Sequence, residues 1–209
     1  MTRNLKALGL AIVAALALTA LVVSSASATN PQFHSEDAHT NITGEQEVRN
    51  TFSVNAGTIH CSTATFEGTS SLATTTQLTI APTYKSCNLT TVTLETLEAV
   101  VDMNGCHYLF TSNGEVHLNC PSAPIRVTAP LCTVTVHPQT VKSVDYVNVG
   151  EGKTRSVTVT STATSLAYTQ SSFCPTGGGS FNNGTYAGSV TTTCAETEKN
   201  HVGCWWSTE

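Results

Sequence analysis

The sequence predicts an all-β fold, and three observations support this prediction. Thirty-seven of the 209 residues are threonine, and 35 of them follow residue 28. Charged residues make up only 11% of the chain, which argues against the Glu- and Lys-rich helices of coiled coils and helix bundles. Short stretches in which valine alternates with threonine or serine recur between turn residues, a pattern typical of half-buried strands. We therefore expect a single antiparallel β-sandwich-like domain of about eleven short strands, stabilised by disulfide bonds.

The first 28 residues predict export from the cell. Arg3 and Lys6 precede an almost wholly apolar run over residues 8–23, and Ala26-Ser27-Ala28 supplies a small-residue cleavage site. This run is shorter than the roughly 20 residues that span a bilayer, so we expect cleavage after Ala28 and no transmembrane anchor. Cleavage would remove two of the nine basic residues and none of the fourteen acidic ones. The remaining chain would carry a formal net charge of −7, so it offers no basic surface to nucleic acid.

The rest of the chain divides into a short N-terminal segment and one β domain. Residues 29–46 are polar and show no sustained period, so we expect a flexible N-terminus there. Residues 47–206 are expected to form the β domain, as one sandwich or as two smaller β units. Residues 175–184 are rich in glycine and asparagine and predict a loop. The predicted strands are 47–54, 58–67, 77–84, 92–103, 106–111, 115–120, 124–129, 132–137, 142–149, 155–169 and 184–194.

The cysteines predict four disulfide bonds, because an even number in an exported chain is typical of a disulfide framework. Structural zinc sites bring ligands in pairs two to four residues apart, whereas no two cysteines here are closer than ten residues. The eight are Cys61, Cys87, Cys106, Cys120, Cys132, Cys174, Cys194 and Cys204.

One pairing follows from the register of a predicted hairpin. A three-residue loop ending at Gly114 supplies the positive φ that such a turn needs, and it sets Cys106 opposite Cys120. The same register places Tyr108 and Phe110 on one apolar face with both cysteines, whereas a two-residue loop would mix the two faces. We therefore predict a Cys106–Cys120 disulfide.

The other pairings have weaker support in the sequence. Cys194–Cys204 is the next most local pair. The pairing of the remaining four cysteines stays open, and we take Cys61–Cys87 and Cys132–Cys174 as the working assignment.

Six segments carry a resemblance to known proteins: Thr58–Thr69, Leu78–Cys87, Val101–Cys106, Ala129–Val136, Gly184–Gly188 and His201–Trp206. Together they resemble a large group of uncharacterised exported proteins of soil actinobacteria. The resemblance would cover most of residues 44–206, and Cys194 and Cys204 are additions to the usual pattern of that group. It implies bacterial export and no particular chemistry.

No pattern in the sequence predicts catalysis. No G-x-S-x-G motif occurs, and no alternation of helices and strands would hold one. A glycosidase needs two carboxylates at a defined separation, and spacing in sequence does not bring any pair together. We therefore expect no enzyme activity and read the acidic residues as solvated side chains. The carboxylates considered are Glu67, Glu95, Glu98, Asp102 and Asp145.

Two histidines of the predicted hairpin are the best candidates for a metal site. His107 and His117 would lie diagonally on its outer face, with Glu115 as the plausible third ligand. No H-x-H or H-E-x-x-H spacing fixes a complete ligand set, so we predict no metal and no other cofactor.

Trp205 and Trp206 are the most unusual feature of a chain with only 6% aromatic residues. Adjacent residues of a strand face opposite sides, so we expect one indole in the core and one facing outward as a possible ligand contact. The sequence thus predicts an exported, non-catalytic structural or binding protein with an unknown extracellular ligand or surface partner. The alternatives are a carbohydrate-binding module using Trp205 or Trp206 and, with less support, a small secreted hydrolase.

Overall fold

The computed structural model describes residues 30–197 and 200–208, and antiparallel strands make up most of them. The predicted signal peptide, residues 1–28, lies outside the described residues. No helix in the described part of the chain has the length and apolar character to cross a membrane. The strands are β1 (Gln32–Ser35), β2 (Thr40–Val54), β3 (Gly57–Ser70), β4 (Thr74–Thr75), β5 (Gln77–Thr91), β6 (Thr96–Asp102), β7 (His107–Thr111), β8 (Glu115–Asn119), β9 (Ile125–Ala129), β10 (Cys132–Val136), β11 (Gln139–Lys142), β12 (Val144–Val149), β13 (Ser156–Gln170), β14 (Gly179–Thr197), β15 (Asn200–Val202) and β16 (Cys204–Ser207), with a 3-10 turn at Gly152–Thr154.

The predicted all-β, antiparallel and disulfide-bonded fold is confirmed, with more strands than the eleven expected. The additional strands β1, β4, β11, β15 and β16 contain two to four residues each, too few for alternation to reveal them. The predicted strand at 142–149 covers Lys142, the last residue of β11, and all of β12. The two strands are separate because the extended conformation is interrupted at Ser143, where φ is 144°.

Eight strands pair in an unbroken ring, so the two layers of the expected sandwich join at both edges. The ring runs β2-β3-β5-β6-β9-β10-β13-β14 and returns from β14 to β2. Five of these strands (β2, β3, β5, β13 and β14) have 14 to 19 residues and run the length of the barrel. The long strands therefore serve as a common wall for both ends of the molecule.

Different short strands complete the barrel at its two ends. In the closed half, β6, β9 and β10 connect the second half of β5 to the second half of β13 by continuous backbone ladders. In the seam half, β7, β8 and β11 extend from the first half of β5, and β12 extends from the first half of β13. In the described strands no backbone ladder joins β11 to β13, and we call this discontinuity the seam.

Residues 30–46 contain β1 and the start of β2, so the prediction of a flexible segment at 29–46 is wrong for its described part. β1 pairs with β16 and β4 in a separate three-stranded sheet, and β2 begins at Thr40. Phe33 and Ile42 are buried, and the Phe33 ring packs edge-on against Tyr146 at 5.0 Å. The segment lacks a clear period because β1 has four residues and pairs with distant strands.

The predicted loop at 175–184 is also partly wrong, because β14 begins at Gly179. Phe181 pairs with Tyr168, and Gly184 pairs with Leu166. A β-carbon at Gly184 would lie 3.0 Å from the Leu166 carbonyl oxygen and 3.2 Å from the Phe52 ring. Glycine in this segment therefore permits close packing of a strand, although its composition is typical of a loop.

The disulfide bonds join Cys61–Cys87, Cys106–Cys120, Cys132–Cys174 and Cys194–Cys204, which are the pairs assigned from the sequence. The hairpin of β7 and β8 has the predicted register, with Tyr108 opposite Leu118 and Phe110 opposite Val116. Gly114 has a φ of 85°, as its position in the turn requires.

Candidate functional site

A cavity of about 150 Å³ lies inside the barrel where the closed half meets the seam half. Ile59, Val101 and Val127 contribute its wall in the closed half, and Phe110 and Val116 contribute its wall in the seam half. None of the residues that line it carries a charge. We call this the central cavity; its polar lining residues are Asn50, Tyr84, Tyr108, Gln139, Ser161 and Tyr186.

Three tyrosines from three different strands meet at this cavity. The hydroxyl groups of Tyr84 on β5 and Tyr108 on β7 are 3.0 Å apart and share a hydrogen bond. The hydroxyl group of Tyr186 on β14 donates to the Asn50 side-chain oxygen. All three side chains keep some accessible surface in the interior of the barrel, because that surface borders the cavity. We call these residues the tyrosine cluster.

The tyrosine cluster is anchored to the backbone through a chain of side-chain amides. The Asn50 amide nitrogen donates to the Gln46 side-chain oxygen at 2.9 Å, and the Gln46 amide nitrogen donates to the Ser62 carbonyl oxygen at 2.6 Å. Gly188 leaves the space for this arrangement, because a β-carbon there would lie 2.2 Å from the Asn50 side-chain oxygen. The polar groups are therefore held in place before any ligand binds.

Burial keeps these phenols neutral. Desolvation raises the pKa of Tyr84 well above its ordinary value, and the neighbouring Tyr108 and Tyr186 raise it further. Desolvation also raises the pKa of Tyr108 and of Tyr186. The three phenols in the cavity wall are therefore neutral, and a neutral hydroxyl group can both donate and accept hydrogen bonds.

One side chain bridges the seam by forming two hydrogen bonds with the backbone of β13, as a neighbouring strand would. Gln139, at the start of β11, accepts a hydrogen bond from the Ala167 backbone N–H at 2.8 Å and donates to the Ala167 carbonyl at 3.0 Å. Here β13 is irregular: its register shifts on both sides of Leu166, and Ser165 has a φ of 59°. Gln139, Val141 and Leu166 also line the central cavity, so the seam forms part of the cavity wall.

Both tryptophans contact other parts of the protein. The Trp206 indole N–H donates to the Ser112 carbonyl at 2.8 Å, and its backbone forms two hydrogen bonds with the Asn148 side chain. The Trp205 ring stacks on His34 at 5.2 Å, and the Arg155 guanidinium lies 5.0 Å from its centre. Both indoles are half-buried, so the prediction of one inner and one outward-facing ring does not describe this strand.

The residues considered for metal binding and hydrolysis lie outside the cavity. A hydrogen bond from the Lys142 ammonium, at 2.7 Å, lowers the pKa of Glu115, and His117 bonds Thr140 at 2.8 Å. Among the described residues, no group of three or more His, Cys, Asp or Glu side chains is arranged to hold a metal ion. Glu67, Glu95, Glu98, Asp102 and Asp145 are all exposed.

Sequence reasoning missed the tyrosine cluster, although a signal for it exists. Tyr84 follows Ile80 at even spacing on β5, and Tyr186 precedes Val190 at even spacing on β14, so each faces the interior with apolar residues. A buried tyrosine hydroxyl needs a hydrogen-bond partner. Inward-facing tyrosines on several strands therefore indicate an internal polar site, but not which of them meet.

Comparisons with known proteins found no match to this chain. No protein-family model matches it, no curated protein matches it, and no solved structure matches it.

Proposed function

We propose that this is an exported, non-catalytic binding protein that holds a small, uncharged and mostly apolar molecule in its central cavity. The observation that carries the proposal is the tyrosine cluster, whose neutral phenols line a mostly apolar cavity without charged lining residues. Small apolar pockets with a few convergent polar groups are typical ligand sites, and eight-stranded barrels have room for one small ligand. Four disulfide bonds and the predicted signal peptide support export.

The size and chemistry of the cavity define the ligand class. A protein cavity of roughly 150 Å³ accepts a molecule of the size of benzene. Desolvating a charge without a partner would be costly in this wall, so the ligand is neutral. The hydroxyl groups of Tyr84 and Tyr108 favour a molecule with one alcohol-like oxygen, which can both donate and accept.

Calorimetry with three ring compounds of similar size tests this proposal. Benzyl alcohol is expected to bind more tightly than toluene, and benzoate is expected not to bind, because only the first combines an apolar ring with a neutral hydroxyl. Ligand binding should also raise the melting temperature, and the rise should continue to grow with ligand concentration. Equal affinity for benzyl alcohol and benzoate, or binding of none of the three, would contradict the proposal.

Matched variants locate the site. Replacing Tyr84 and Tyr108 by phenylalanine removes two hydroxyl groups at nearly constant volume, so the preference for benzyl alcohol over toluene should disappear. Tyr146→Phe is the control, because the Tyr146 hydroxyl donates to the Thr111 carbonyl at 2.8 Å and this residue does not line the central cavity. If Tyr146→Phe changes the preference as much as the double variant does, the ligand does not contact the tyrosine cluster.

Sugar binding at Trp205 and Trp206 has less support than the cavity. Stacking on a sugar requires an open indole face, whereas His34 and Arg155 already contact Trp205 and the Trp206 N–H is used within the protein. The carbohydrate alternative therefore requires displacement of existing contacts.

A further inference from the structure

Two smaller cavities continue the central cavity toward the three-stranded sheet. The middle cavity, of about 60 Å³, shares Tyr108, Tyr186 and Ser161 with the central cavity. The end cavity, also of about 60 Å³, lies beneath the three-stranded sheet and shares Ile42 and Ile80 with the middle cavity. The interior of the seam half is therefore a row of spaces in which each shares wall residues with the next.

Phe110 stands where the three cavities meet. Among the described residues, it is the one that lines all three cavities, and it is the sole wall residue common to the central and end cavities. Its backbone is fixed by pairing with Leu78 on β5 and Val116 on β8. Its ring lies edge-on to Tyr108, with ring centres 6.2 Å apart. The ring therefore occupies the space that would otherwise connect the cavities beside the tyrosine cluster.

We propose that Phe110 sets the length of the ligand by confining it to the central cavity. The role of Phe110 rests on the proposed function, because it matters only if the tyrosine cluster binds a ligand. The cluster lies at the boundary between the central and middle cavities, since Tyr108 and Tyr186 line both. A ligand oxygen bound there can have one hydrocarbon arm in the central cavity, whereas the Phe110 ring blocks a second arm on the other side.

The chemical class that follows is a short, uncharged alcohol with its oxygen near one end. With the ring removed, the three spaces would nearly double the volume of the central cavity. An alcohol with its oxygen near the middle could then place one arm on each side of the tyrosine cluster. Volume and oxygen position are thus separate properties, and positional isomers of one alcohol distinguish them.

The test measures the binding of 2-heptanol, 2-undecanol and 6-undecanol by calorimetry. The protein should bind 2-heptanol more tightly than either undecanol. In Phe110→Ala, affinity for 6-undecanol should rise by at least about tenfold, the gain expected from burying roughly two further methylene groups. Affinity for 2-undecanol should rise much less, because its single long arm still meets the end of the central cavity.

Phe52→Ala is the matched control, because Phe52 lines the central cavity and neither of the two smaller ones. This variant removes an equal ring but opens no connection, so both undecanols should gain alike. Phe110→Leu gives a second measurement if Phe110→Ala does not fold, since it retains an apolar side chain but removes the ring.

The possible results separate the role of Phe110 from the proposed function. If 2-heptanol binds but Phe110→Ala favours both undecanols equally or neither, Phe110 does not limit ligand length and the proposed function stands. If the unmodified protein already binds 6-undecanol as tightly as 2-heptanol, the ring is not a barrier. If no variant binds any of the three alcohols, both proposals are wrong.

Discussion

The closed half and the seam half differ in how the barrel wall is closed and in how the interior is filled. In the closed half, continuous ladders bring β6, β9 and β10 together, and fully buried side chains such as Tyr168, Leu89 and Val134 fill the interior. In the seam half, side-chain amides of Gln139 and Asn148 replace missing ladders, and the interior contains the middle and end cavities. The central cavity is lined from both halves, whereas the two smaller cavities are lined mainly by the half whose ladders are interrupted.

The largest difference between the halves is expected from introducing a carboxylate. Val134 is 1% exposed in the closed half, so Val134→Asp should lower the free energy of unfolding by several kcal/mol, because an unpaired buried charge is costly. Val141 is half-buried at the seam, so Val141→Asp should cost less. Thr135→Asp, on the opposite face of β10, is the control. Urea unfolding that gives equal losses for Val134→Asp and Thr135→Asp would contradict the face assignment.

The second-largest difference concerns the disulfide bonds at the two ends. Cys132–Cys174 closes 42 residues around the closed half, so replacing both cysteines by alanine should lower global stability by about 4 kcal/mol. Cys194–Cys204 connects β14 to the small sheet, so its double alanine variant should mainly expose β1 and β16 to hydrogen exchange. The comparison fails if both variants lose the same global stability with no local change in exchange.

The sequence predicts these two halves unequally. In the hairpin of β7 and β8, alternation, a glycine turn and paired cysteines all indicate one register, and the structure has that register. The three-stranded sheet was not predictable, because β1 pairs with β16, which lies about 170 residues later in the chain. The cavity was not predictable either, because Tyr84, Tyr108 and Tyr186 meet only when β5, β7 and β14 are assembled. Local pattern specifies single strands and hairpins, whereas the site depends on which distant strands share the barrel.

A pH dependence is expected from the buried tyrosines, which include Tyr146 as well as the tyrosine cluster. The raised pKa values mean that the folded state retains phenol protons that the unfolded state loses near pH 10, so the free energy of unfolding should fall as pH rises above about 10. Each such group contributes up to about 1.4 kcal/mol per pH unit in that range. Urea unfolding of the Tyr84→Phe variant should show a shallower fall, and an unchanged slope would show that Tyr84 is not the source.

A smaller effect is expected from opening the seam. Gln139→Ala removes two hydrogen bonds to Ala167, which should lower stability by about 1 kcal/mol, the net value of an ordinary hydrogen bond or two. It should also accelerate association and dissociation of benzyl alcohol, measured by stopped-flow or NMR exchange. Gln77→Ala serves as the control, because Gln77 is exposed on β5 and does not line the central cavity. Equal exchange rates in the two variants would place the opening elsewhere.

The smallest expected effect is a gain in stability at a hairpin tip of the closed half. Leu131 follows Pro130 between β9 and β10, has a φ of 63° and is 81% exposed. Proline followed by a positive φ is typical of a type II turn, in which glycine or asparagine fits the second position and leucine is strained. Because the exposed leucine side chain contributes little burial, Leu131→Asn should raise the free energy of unfolding by about 0.5–1 kcal/mol. Phe173→Asn is the control, since Phe173 is 77% exposed and has no positive φ. The gain should appear in the global urea transition, because the ladder between β9 and β10 belongs to the closed half; a loss of stability in Leu131→Asn would mean that the leucine makes a stabilising contact at the tip.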